Sequence, residues 1–134
     1  MSDASLHREL GALRRLRDEE KAIICKLLKG TPLEGDAVPT ALEAQVCDMA
    51  DGGMGSIRFQ QKTAREAAFG REIAEGAFQD ADGVPVSVTL TVDEAGNLFE
   101  LDVFKADGSP LVRYPSLDDF EIIERHGKLG FPPL

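Results

Sequence analysis

Val86-Ser87-Val88-Thr89-Leu90-Thr91-Val92, Asp93-Glu94-Ala95-Gly96-Asn97, Leu98-Phe99-Glu100-Leu101-Asp102-Val103-Phe104 is the stretch that decides the fold. Val86, Val88, Leu90 and Val92 alternate with Ser87, Thr89 and Thr91. After a turn over Asp93–Asn97 that contains Gly96, Phe99, Leu101 and Val103 alternate with Glu100, Asp102 and Phe104. A period of two with one apolar phase describes a half-buried strand, and two such runs joined by a short Gly-bearing turn describe an antiparallel hairpin. Val88, Leu90, Phe99 and Leu101 are therefore expected in the core. Glu100, Asp102 and Phe104 are expected to share the opposite face.

Working outward, Asp82-Gly83 is a turn signal before this hairpin, and residues 71–79 read as a further strand broken by Gly76. A strand at 41–49, with Leu42, Ala44 and Val46 on one side and Glu43 and Gln45 on the other, returns through Ser56–Gln60 after the turn Asp51-Gly52-Gly53-Met54-Gly55. Residues 61–68 fit a helical turn or a loop, and 116–125 fit a short helix capped by Ser116 or a strand. Nearer the N-terminus the period changes. Ile23, Ile24, Leu27 and Leu28 form one apolar stripe of a helix over 18–29, with Asp18 as its expected N-cap and Cys25 at the margin. Glu19 and Glu20 suit the positive end of the helix dipole, and Lys26 and Lys29 the negative end. Gly30 suits a left-handed C-cap, and Pro32 prevents continuation. One amphipathic helix followed by hairpins predicts an α+β fold, with the N-terminal helix packed on a mainly antiparallel sheet. A single domain over 1–134 is expected, with 1–11 frayed and 126–134 a tail.

Composition narrows the function classes. The chain has 134 residues, 43% of them hydrophobic, enough for one core without a metal or disulfide staple. Cys25 and Cys47 read as buried small hydrophobes in a reducing compartment. No apolar run approaches the ~20 residues of a membrane span. Met1–Ser5 lacks the pattern of a secretory signal, so a cytoplasmic location is expected. With 24 acidic against 15 basic residues the formal charge is −9. That charge repels nucleic acid and anionic membranes and suits either solubility or a basic partner. Residues 72–107 carry nine acidic residues and one lysine, so the acidity gathers where the sheet should lie.

No residue set reads as catalytic, and no cofactor is expected. Gly52, Gly53 and Gly55 lack the Gly-Lys-Ser/Thr of a phosphate loop and are flanked by strands, so they read as a structural turn with at least one positive φ. Glu72, Glu75, Asp93, Glu100 and Asp102 are carboxylates suited to a hard cation, yet a solvated strand face explains them equally well. Lys105 falls on the opposite phase from Glu100 and Asp102, against a carboxylate–lysine nuclease site. His7 and His126 lie at opposite ends of the chain without partners at ligand spacing. The basic residues Arg8, Arg14, Arg15, Arg17, Arg58, Lys62, Arg65 and Arg71 read as internal ion-pair partners.

The segments Leu16–Lys21, Asp51–Ser56, Asp82–Val86, Phe99–Lys105, Ser109–Leu111 and Arg113–Pro115 together resemble a family of short bacterial proteins known as a domain of unknown function, over about 13–115. The resemblance carries over no catalytic residue. By size, charge and architecture it is similar to immunity proteins, which block a cognate toxin, and this implies a non-enzymatic protein-binding role. The expected partner is a basic protein such as a toxin. Phe104 and Tyr114 are the expected anchors, with Glu100 and Asp102 as charged complements. A structural or regulatory interaction domain, and a small enzyme using an acidic metal site or the Gly-rich turn, are the alternatives.

Overall fold

The computed structural model describes residues 11–35, 42–60 and 69–125. In chain order the elements are β1 (Arg14–Arg15), α1 (Asp18–Leu28), β2 (Gln45–Asp48), β3 (Ile57–Phe59), β4 (Phe69–Gln79), β5 (Pro85–Asp93), β6 (Leu98–Lys105) and β7 (Glu121–Arg125). The strands form one sheet in the order β1-β2-β3-β6-β5-β4-β7, with every neighbouring pair antiparallel. This is the expected α+β architecture, and the hairpin β5–β6 lies near its centre. Expectations on His7, Lys62, Arg65 and His126, on residues 1–10, 61–68 and 126–134, and on Arg8 fall outside the described residues.

The hairpin follows its alternation for most of its length. Leu90 pairs with Leu101 and Val88 with Val103, and all four side chains are buried. The register then shifts from Thr91↔Glu100 to Val92↔Leu98, which leaves Phe99 over as the extra residue of a bulge. Leu98 takes the inward position and packs on the core. Phe99 is buried as expected, but the Arg58 guanidinium lies 4.9 Å from its ring centroid.

Helix α1 covers the inner face, packing against β4 and β7 and burying Ile23, Ile24, Leu27 and Leu28. Its N-cap is Arg17 rather than the expected Asp18, which is the first helical residue. The cause is Glu20, whose carboxylate reaches back to accept the Arg17 backbone N–H at 2.7 Å and so closes the first turn from inside. At the other end Gly30 has φ +77°, as expected, and Thr31 donates its backbone N–H to the Leu28 carbonyl. Cys25 and Cys47 are half-buried, not buried: Cys25 sits at the margin of the helix's apolar stripe, and Cys47 alternates with buried Val46 and so falls on the outer side of the sheet.

Three other expectations change. The strand expected at 41–49 begins only at Gln45; Leu42 is helical and Glu43 a turn residue. Its partners set its length: β1 reaches only Gln45 and β3 only Val46. Gly76 does not break β4 but sits inside it, paired with Val88 and Ile122. A Cβ at Gly76 would stand 2.3 Å from Phe120 Cζ, so glycine is there to admit the Phe120 ring. Residues 116–125 resolve as a turn and then β7. Ser116 Oγ accepts the Asp119 N–H, and Phe120 is fully buried with its ring 6.2 Å from that of Phe78.

Candidate binding face

Cross-strand pairs share a sheet face, so the register alone lists the side chains opposite the helix. One row runs Cys47, Arg58, Glu100, Thr91, Glu72. The next runs Asp102, Thr89, Glu75, Glu124, and the third Phe104, Ser87, Ala77, Glu121. Sequence reasoning anticipated the company of Glu100, Asp102 and Phe104. It also grouped Glu72 and Glu75, on β4, with Glu100 and Asp102 as carboxylates, but missed Glu121 and Glu124, which β7 adds to the face. The acidic count of 72–107 signalled the first two, and only the register supplies the others.

The members of this face differ. Phe104 is 54% exposed, large for a solvent-facing aromatic. Asp102 is exposed and receives the Ser56 hydroxyl at 3.2 Å. Glu100 is half-buried and held by the Arg58 guanidinium, whose Nε lies 2.9 Å from it. Cys47 stands cross-strand from Arg58, and burial pushes its thiol up.

Tyr114 does not join them. It is half-buried, and its hydroxyl lies 3.3 Å from Glu20 Oε2. Burial, with the nearby Glu20 carboxylate, pushes its phenol well up. Tyr114 thereby links the 106–115 segment to the helix N-terminus. Glu20 collects that end of the molecule, since it also pairs with Arg14 at 2.8 Å while Arg14 reaches Asp48 at 2.7 Å.

Gly52, Gly53 and Gly55 have φ of +77°, +86° and +109°. The Asp51 carboxylate fastens the turn by accepting the N–H groups of Met54 and Ser56, and the Gly53 carbonyl accepts the Leu111 N–H. These bonds tie the turn to the start of β3 and to the 106–115 segment.

Behind the face lies a charged group that sequence reasoning did not assemble. Lys105 occupies an inward position and is fully buried. Its ammonium lies 2.8 Å from Asp80 and 2.6 Å from Asp82, and donates to the Pro110 carbonyl at 3.0 Å. Burial would raise the Asp80 carboxyl. Lys105 and the backbone N–H groups of Val112, Ala81 and Arg113 outweigh it and hold the carboxyl well below the usual range. The available signal was a lysine on the apolar phase of the best strand, which demands a buried anion. The trio ties the β4–β5 turn to the 106–113 segment.

Arg14, Arg15, Arg17 and Arg58 all pair with carboxylates of the fold. Among the described residues no three His, Cys, Asp or Glu side chains converge as a metal-binding group. Of the five carboxylates considered for a cation, Asp93 instead accepts the N–H groups of Ala95 and Asn97 in its own turn. Among the described residues no helix is long and apolar enough to cross a membrane.

Among the described residues these features define an α+β protein with helix α1 packed on a seven-stranded antiparallel sheet. The chain belongs to the DUF6984 family, a domain of unknown function, whose profile matches residues 13–115. No curated protein matches the chain. No solved structure does either.

Proposed function

We propose that this protein is a non-enzymatic protein-binding module whose outer sheet face docks on a basic protein, as an immunity protein covers its toxin. The observation that supports this reading is the face itself. It carries Glu72, Glu75, Asp102 and Glu121 on the same side of the sheet as an exposed Phe104, with Arg58 already committed to Glu100. Dispersed carboxylates steer a cationic surface during approach, and a desolvated aromatic holds it after contact. A rigid sheet presents both without reordering, which lowers the cost of binding. The action is occlusion: the partner's own basic site is covered.

The test is a footprint. The chain is immobilised, the bound protein is recovered from the source organism, and hydrogen exchange of the complex is compared with that of the free chain. Added protection should fall on residues 85–91 and 98–105. Protection confined to α1, or a partner without excess basic charge, would refute the reading.

A further inference from the structure

At one corner of the sheet, β4 outruns its partner. The β4–β7 ladder ends at Ala77↔Glu121, whereas β4 continues to Gln79. Phe78 and Gln79 therefore have strand neighbours only on the β5 side, at Val86 and Pro85. A groove of about 850 Å³ opens at this place, with Phe78, Gln79, Arg113, Tyr114, Asp119 and Glu121 on its walls. That volume lies within the ~300–1,000 Å³ of pockets that take ligands. It borders the outer face, since Ala77 and Glu121 belong both to the groove and to the row that ends at Phe104.

We propose that this groove receives an extended segment of the basic partner, paired as an added strand beside Phe78–Gln79, with one arginine or lysine set between Asp119 and Glu121. This rests on the reading of the outer face as a docking surface and names the part of the partner that anchors there. An open strand end recognises an extended main chain by its own hydrogen-bonding groups, and neighbouring side chains select the residue type. Here the charge balance selects a cation: two exposed carboxylates stand against the Arg113 guanidinium. The Ser116 hydroxyl fixes Asp119 at 3.0 Å, which leaves its other oxygen for the ligand. Tyr114 and Phe78 provide the apolar wall along which an aliphatic stem lies. Fully buried Phe120, between Asp119 and Glu121, roots both carboxylates in the core.

The probe is a blocked pentapeptide with arginine at alternate positions, titrated into the isotope-labelled full chain while backbone amide shifts are followed. A matched peptide with glutamate in place of arginine is the control. Saturable shifts at 77–80 and 113–121 with the arginine peptide alone are expected. Asp119→Asn with Glu121→Gln, both exposed and isosteric, should weaken binding at least ~threefold, about the value of two exposed ion pairs. Stronger binding of the glutamate peptide, lost in Arg113→Gln, would overturn the proposal in favour of an anion site. Shifts spread over the outer face and indifferent to the double substitution would overturn it as well. Failure of the two readings is distinguishable with the captured partner. If Asp102→Lys weakens that complex and the groove substitutions do not, the face stands and the groove falls. If neither weakens it, both fall.

Discussion

Gly76→Ala isolates the contact on which β7 and the groove depend. The added Cβ would stand 2.3 Å from Phe120 Cζ, 2.8 Å from Cε2 and 2.9 Å from the Glu121 carbonyl oxygen, all far inside van der Waals contact. Phe120 has no exposure and Phe78 stands beside it, so its ring has nowhere to retreat without moving β7. Overpacking of this kind costs about 1–3 kcal/mol. Losing glycine's freedom in the unfolded chain returns only about 0.4–1 kcal/mol. Three approaches under 3 Å put the clash in the upper part of that range, about 2–3 kcal/mol, so the net expectation is a loss of about 1–2.6 kcal/mol, read as a lower urea midpoint by circular dichroism. Phe120→Ala alone should cost about 3–5 kcal/mol by opening a cavity. Combined, the two substitutions should cost less than their sum by ~1 kcal/mol or more, because the new methyl enters the space the ring vacates. A neutral Gly76→Ala, or strict additivity, would refute the account of why glycine sits inside this strand.

Other outcomes follow from the same contacts. Leu101→Ala should lose about 2–5 kcal/mol in denaturant unfolding, as a fully buried central residue. Gly53→Ala should cost more than ~1 kcal/mol, since it combines φ +86° with a Cβ 3.2 Å from that of Pro110. Phe104→Ala should change stability by less than ~0.5 kcal/mol yet weaken the partner complex, which separate melting and binding measurements can show. Because the folded Asp80 carboxyl lies below its unfolded value, its contribution to stability is present above about pH 4 and is lost as pH falls further. Urea midpoints between pH 2 and 7 should therefore drop on the acid side, and Asp80→Asn should flatten that drop.

The parts of the fold legible in the sequence are those where one periodicity acts alone. Residues 86–92 and 18–28 each carry a clean apolar phase, so strand and helix follow from local pattern. What was not legible depends on distant partners. Arg14–Arg15 is a strand only because β2 lies beside it, and no two-residue pattern could announce that. Phe120 and Ile122 fit both a helix and a strand, and the ladder with β4 settles the choice. Phe99 keeps its burial but moves to a bulge, which alternation cannot register. Within the candidate site, Glu100, Asp102 and Phe104 share a face as alternation requires. That Tyr114 lies apart from these three was not legible, because the partner that holds it, Glu20, is 94 residues away. The structure also changes how the face should be probed. Replacing Glu100 by lysine would set two cations together at Arg58 and disturb folding, whereas exposed Asp102 can be reversed more safely.

The central claim is that the outer face binds a basic protein. Its most direct test is the association rate with the captured partner, measured from low to high salt for the native chain and for Asp102→Lys. The account predicts fast association that slows as salt rises, and a variant that associates more slowly with a shallower salt dependence. Identical rates and identical salt dependence for the two chains would contradict it.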